Sequence, residues 1–335
     1  MADVSLRPAD DRGQVIIVAG LAIAVILVAL VLLLNTVIYA DNLATRGVDV
    51  GGGDALAVND TVVDGVGGLI DQENAQGYDS ATYVRSNVSD GITRIDTLLS
   101  RQYAQRGVVA DVATVALHDG TLIRQTDATR NLTNASGASA WTLAENVEDT
   151  RGVVFTVDRS DLQDGRTGAF QVLVDGTDQW RAYIYHKTAT NDIAVAVDTP
   201  STAATEVCSV TASTATVDLT RGTINGTHCP GLEFAEGVSA PYTVEFVDSH
   251  QAVGTYNVTV NSTTVDGTNF VSDDSGPTES TAVYSAVVDV RYETPRLTYA
   301  DRVRIAPGNR HDRRPRGLQH RRLRVEPGNR HPAGQ

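Results

Sequence analysis

The apolar positions of this chain run in three successive rhythms. From Val15 to Leu34 twenty consecutive residues are apolar. At 1.5 Å per residue a helix of that length spans about 30 Å, the hydrocarbon thickness of a bilayer. No polar stripe marks it as a buried soluble helix. Asn35-Thr36 interrupts the run and Val37-Ile38-Tyr39 continues it, so residues 15–39 are expected to form a transmembrane helix.

The second rhythm is helical. After the Gly51-Gly52-Gly53 break, a weaker helix is expected from Asp54 to about Ile70, with Gly65, Gly67 and Gly68 against it. A better one starts at Ser80, a residue suited to capping. It carries one stripe of Val84, Val88, Ile92, Ile95 and Leu99, and ends at Gly107 after Arg101 and Arg106. Residues 40–107 are therefore expected to be a helical stalk.

From Val108 the period becomes two. Phe170, Val172 and Val174 alternate, Asp175-Gly176 supplies a turn, and Trp180 to His186 returns as a hairpin. Tyr284, Ala286, Val288, Val290 and Tyr292 alternate likewise, and beyond Pro295 the stretch Leu297 to Ile305 suits a partner strand. Turns are also expected at Asp119-Gly120, Asp164-Gly165, Asn225-Gly226 and Asp266-Gly267. The Thr and Val content fits an antiparallel sandwich or sheet with a wet outer face. The predicted class is α+β: a transmembrane helix, a helical stalk, then an antiparallel β-rich extracellular domain over residues 108–306.

Charge adds a direction and an environment. Arg7 and Arg12 precede the apolar run and Arg46 follows it, a small bias that puts residues 1–14 in the cytoplasm and the bulk of the chain outside. A secretory signal cleaved after Ala40 is the rival, with an apolar region longer than such signals use. The chain has 41 acidic and 27 basic residues, and Lys187 is its one lysine. Such a surface stays hydrated where salt screens charge, and the composition resembles that of salt-adapted archaeal proteins.

The tail breaks this pattern. Residues 309–335 hold eight arginines against Asp312 and Glu326, so the rest of the chain carries −20 within a total of −14. Pro-Gly-Asn-Arg-His occurs twice, at 307–311 and 327–331. Residues 307–335 are expected to be disordered. The abrupt change suits out-of-frame translation of GC-rich coding DNA better than a nucleic-acid-binding arm, so no nucleic-acid partner is expected.

Asp11-Arg12-Gly13-Gln14 directly before the apolar run resembles the start of type IV pilin-like proteins, and of uncharacterised haloarchaeal membrane-anchored proteins of pilin-like kind. The resemblance covers about 25 residues and implies leader cleavage between Gly13 and Gln14. Val18 stands where many pilins carry a glutamate. An uncleaved anchor with Arg12-Gly13 as its cytoplasmic flank fits the same residues. The resemblance implies partners among pilin-like subunits or a surface layer, beside the bilayer that would hold residues 15–39.

Candidate chemistry is sparse. Cys208 and Cys229 are the two cysteines, a natural disulfide outside the cell. Asn-x-Ser/Thr occurs at Asn59, Asn87, Asn131, Asn134, Asn225, Asn257 and Asn261, all after the apolar run, as expected of an exported glycoprotein. His228 beside Cys229 is too small a ligand set for a metal. Asp158, Asp161 and Asp164 are spaced by three where a calcium loop needs two. Trp180, Tyr183 and Tyr185 suit a sugar-stacking face less well than alternate faces of a sheet. With no nucleophile elbow, P-loop or dinucleotide motif, neither enzymatic activity nor a cofactor is expected. The expected function is a membrane-anchored structural or interaction protein of the cell surface, a pilin-like component of a type IV pilus-type system. The alternative is an anchored binding module or adhesin unrelated to pili.

Overall fold

Four apolar residues at helical spacing, Val58, Val62, Val66 and Ile70, line the buried side of the first helix, α1 (Gly52–Ala75). A computed structural model describes residues 52–273 and 275–308. The helix continues through Gly65, Gly67 and Gly68, which were expected to weaken it. The second helix, α2 (Ala81–Ala104), buries Val84, Val88, Ile92 and Leu99 as its stripe requires. Ser80 stands at its N-cap without a side-chain capping bond. Gly91 brings the two helices together: a Cβ there would lie 2.5 Å from Leu69 Cδ2.

Among the described residues fourteen strands follow, β1 (Val109–Gln125), β2 (Trp141–Val147), β3 (Thr150–Asp158), β4 (Phe170–Asp175), β5 (Gln179–Lys187), β6 (Asp192–Thr199), β7 (Thr202–Val210), β8 (Thr214–Asp218), β9 (Thr223–Ile224), β10 (Thr227–His228), β11 (Tyr242–Val247), β12 (Gly254–Val260), β13 (Thr278–Glu293) and β14 (Thr298–Ile305). They make an eight-stranded sheet, β10-β9-β8-β3-β12-β1-β13-β14, and a six-stranded sheet, β2-β11-β4-β5-β6-β7. The strand ladders are antiparallel. The expected hairpin is present as β4–β5, with Val174 opposite Trp180, and β14 is the expected partner of β13 across Pro295.

The sheets face each other across an aromatic core. Phe155 and Tyr256 come from the larger sheet, Phe170 and Phe246 from the smaller, with ring centroids 5.4 Å apart for Phe155–Phe170 and 5.1 Å for Phe246–Tyr256. Edge-to-face rings bury large areas and prefer this geometry.

The expected class needs correcting. The described chain is mostly β, and its two helices are not a stalk. From Val109 to His118 β1 pairs with β13 alone, because β12 joins it only from Thr121 onward. α2 lies along that unpaired edge: Asp96 Oδ1 accepts from the Val112 N–H at 2.9 Å, and the Ser100 hydroxyl donates to the Ala110 carbonyl at 3.0 Å. Unpaired strand groups must find partners or water, and here helix side chains supply them. The helices are thus part of the β domain's packing. The expected transmembrane helix, residues 15–39, lies outside the described residues, and among the described residues no helix is long and apolar enough to cross a membrane. The leader with Gly13 and Gln14 and the Arg-rich stretch 309–335 also lie outside them.

The chain divides into two units, Met1–Ala57 and Val58–Gln335. Of the first, only the opening of α1 from Gly52 is described.

Two further expectations change. Asp119-Gly120 is not a turn but lies within β1, where a Cβ on Gly120 would sit 2.3 Å from the Val260 carbonyl oxygen. The outer face of the smaller sheet is not simply wet: Ala194 and Ala196 are fully buried there, packed with Ala169, Tyr183 and Tyr185.

Candidate functional site

Cys208 sits on β7, the edge of the six-stranded sheet, and Cys229 directly follows β10, the edge of the eight-stranded one. They form a disulfide with Cα atoms 5.5 Å apart. The bond closes a sequence separation of 21 and ties the two sheets together at one corner. Loop closure of that size is worth about 3 kcal/mol in the chain-entropy model. His228 Nδ1 contacts the Gly222 carbonyl at 3.2 Å, and no cluster of three or more metal-ligating side chains exists among the described residues.

The same corner carries the Asn225-Gly226 turn, which joins β9 to β10. Both residues have positive φ, 47° and 77°, the pattern of a two-residue hairpin turn that Asn-Gly favours. Asn225 is exposed, and its Oδ1 accepts from the Thr216 N–H at 2.8 Å.

The other six sequons are placed very differently. Asn134 is buried: its Nδ2 donates to Asn269 Oδ1 at 2.8 Å, and its Oδ1 accepts from the Ser136 hydroxyl and from the N–H groups of Ser136 and Ala138. Asn261 Oδ1 accepts from the N–H groups of Glu148 and Asp149, both at 2.9 Å. Asn131 Nδ2 donates to the His250 carbonyl. Asn59 and Asn87 are half-buried within α1 and α2, and Asn87 Nδ2 donates to the Tyr78 hydroxyl at 2.8 Å. Asn257 is exposed on β12, on the face opposite the core residues Tyr256 and Val258, but the Thr259 of its sequon is buried.

The acidic triplet does not assemble a calcium loop. Asp158 Oδ1 caps a 3-10 turn by accepting from the Ser160 N–H at 3.1 Å, while Asp164 Oδ1 pairs with His186 Nδ1 at 2.7 Å. Nor do the aromatic residues of β5 share a face. Trp180 is fully buried against Phe234 in the core, and Tyr183 and Tyr185 lie on the opposite side. The Tyr185 hydroxyl donates to Glu206 at 3.0 Å, and burial first, then that bond, pushes its pKa up to about 12.

One feature had no sequence signal. A cleft of about 550 Å³ opens between the Gly77–Asp79 turn, Arg124 of β1, the 267–273 loop and the start of β13. Its walls carry Asp79, Asp273 and Glu279 as well as Arg124. The Ser275 hydroxyl and N–H hold the Asp273 carboxyl below the usual range, while burial raises that of Glu279. These groups come from four separate segments, so no local motif could announce them.

Residues 9–118 match the model of a family described only as a family of unknown function, DUF7261. The match takes in the Asp11–Gln14 stretch, the apolar run, both helices and the first ten residues of β1. No curated protein and no solved structure matches the chain.

Proposed function

We propose that this chain is a structural or interaction protein of the cell surface, held in the bilayer through residues 15–39 with its N-terminus inside and its β domain outside. The single observation that carries the reading is the apolar run Val15–Leu34 in a chain whose later residues form a disulfide. A hydrocarbon-length apolar segment is costly in water, and a disulfide between sheet edges persists in oxidising surroundings. The salt-adapted, acidic composition supports a surface facing brine, and the cluster of sequons supports an exported glycoprotein.

Within that reading the chain is a pilin-like component of a type IV pilus-type system, cleaved between Gly13 and Gln14. Its partners are other pilin-like subunits or a surface layer, and it performs no catalysis. The continuous family match from residue 9 to residue 118 supports treating the segment around that junction, the apolar run and the helices as one inherited unit.

A second reading, an anchored binding module unrelated to pili, draws support from the cleft beside Arg124. Protease added to intact cells should degrade the β domain, and mass spectrometry of the purified chain should find Gln14 at its N-terminus. An intact β domain after such treatment overturns the surface reading. An accessible domain on a chain retaining residues 1–13 overturns pilin processing and leaves the binding module.

A further inference from the structure

We propose that Asn225 is a site of N-linked glycan attachment, and that the fold excludes modification at Asn87, Asn131 and Asn134. The inference rests on the exterior placement proposed above and goes beyond it by choosing among seven chemically equivalent triplets.

Attachment forms a bond from the asparagine Nδ2 to the anomeric carbon of a sugar. The donor is a lipid-phosphate-linked oligosaccharide; its anomeric C–O bond breaks, the phosphate leaves with the electron pair, and the amide nitrogen loses one proton. The product must leave Nδ2 facing solvent, with room for a sugar ring. Asn225 meets both requirements. It is exposed on a two-residue turn; its backbone N–H donates to the Thr216 carbonyl, and of its side-chain amide only Oδ1 is committed, to the Thr216 N–H at 2.8 Å. Glycan on Nδ2 therefore leaves the turn's own hydrogen bond intact. Gly226 offers no side chain to crowd the sugar, and the Thr227 that completes the triplet is exposed.

The excluded sites fail on the same geometry. At Asn134, Asn131 and Asn87 the Nδ2 is a donor within the fold, to Asn269, to the His250 carbonyl and to the Tyr78 hydroxyl. A sugar on any of these nitrogens displaces a bond whose partner then lacks one, at about 1–3 kcal/mol each where buried. Sugar and fold therefore compete for the same nitrogen at each of these sites.

The position has a consequence for the surface. Asn225 grips Thr216 of β8, and Thr216 stands in line with Thr156 of β3 and Thr255 of β12. A glycan at the turn borders that threonine row and the disulfide corner, so it shields the β8–β9–β10 end of the larger sheet.

Full-length protein, purified from the cells that make it, is reduced, cut after glutamate and analysed by mass spectrometry. The fragment from Val207 to Glu233 contains Asn225 as its one sequon and is expected to carry a hexose- or hexosamine-containing mass increment. Thr227→Ala should remove the increment and Thr227→Ser should keep it, while the Cys208–Cys229 bond, assayed as absence of free thiol, shows that both variants fold. An unmodified 207–233 fragment from a chain that external protease digests on intact cells overturns the inference and leaves the exterior placement standing. An unmodified fragment from a chain that protease cannot reach overturns both. Glycan on Asn134 of disulfide-bonded protein overturns the exclusion.

Discussion

Asn74 on α1 holds both backbone groups of Val283: its Nδ2 donates to the Val283 carbonyl at 3.0 Å, and its Oδ1 accepts from the Val283 N–H at 2.9 Å. The reason lies in the register of the sheet. β14 pairs with β13 only from Ala286 to Glu293, so Val283 stands beyond the last ladder bond on that edge. One side-chain amide, itself buried, stands in for the missing strand. Asp96 and Ser100 of α2 do the same for β1.

Replacing Asn74 by leucine keeps the volume but leaves the Val283 N–H without a partner in a buried place, while the Val283 carbonyl keeps the Arg151 guanidinium at 3.1 Å. The expected loss is about 1–3 kcal/mol, the cost of one unsatisfied buried group. A urea denaturation midpoint measures it. Stability equal to wild type would mean that water satisfies the Val283 N–H.

Arg151 makes the second cross-link of this kind. Its guanidinium is buried and donates to the carbonyls of Tyr284 at 2.9 Å, Val283 at 3.1 Å and Pro307 at 2.9 Å, as well as to Asp71 at 3.0 Å. The Asp71 side chain is 54% exposed, so solvent screens the ion pair and the carbonyls dominate. Arg151→Met should therefore cost about 3 kcal/mol or more, and Asp71→Asn less than about 1 kcal/mol. Denaturation of the two variants side by side checks the order, and equal losses would return the weight to the ion pair.

What the sequence disclosed follows from how local each signal is. The alternation of Phe170, Val172 and Val174 and the Asp175-Gly176 turn lie within a dozen residues, and they became β4 and β5 as expected. The stripe on α2 is equally local. The role of the helices was not legible, because Asn74 finds Val283 across 209 positions and no periodicity encodes that meeting. Cys208 and Cys229 could pair only with each other. The sequons were legible as triplets, yet what separates Asn225 from Asn134 is the presence of Asn269, 135 residues further on.

Asp119-Gly120 shows the same limit, because a turn dipeptide sits inside a strand for a tertiary reason. A Cβ at Gly120 would lie 2.3 Å from the Val260 oxygen and 3.0 Å from Tyr284 Cβ. Backbone cannot yield cheaply there, so Gly120→Ala should cost about 2–3 kcal/mol. Gly68 in α1 is exposed and helical, with nothing within 4 Å of a Cβ. Gly68→Ala should instead stabilise by about 0.5–1 kcal/mol. Thermal melts of the two variants should move in opposite directions, and a shift of the same sign would refute the steric account.

Alkaline pH should open the domain through its tyrosines. Burial raises the Tyr185 pKa to about 12, helped by its bond to Glu206 and by that carboxylate's charge. Burial likewise raises Tyr299 to about 12, with Asp301 adding to it. Tyr242, Tyr256 and Tyr284 are raised further still, each chiefly by burial. A phenol whose pKa is higher in the folded chain binds its proton more tightly there. Its contribution is complete below the unfolded value of about 10 and is lost as pH rises from there through the folded value. Denaturation midpoints should stay level up to pH about 10 and then fall, as tyrosinate absorbance appears together with unfolding. Tyr185→Phe should reduce the slope of that fall without lowering the plateau by more than the lost Glu206 bond. Tyrosinate forming while the midpoint holds steady would show that these hydroxyls titrate freely, against the burial that the core assigns them.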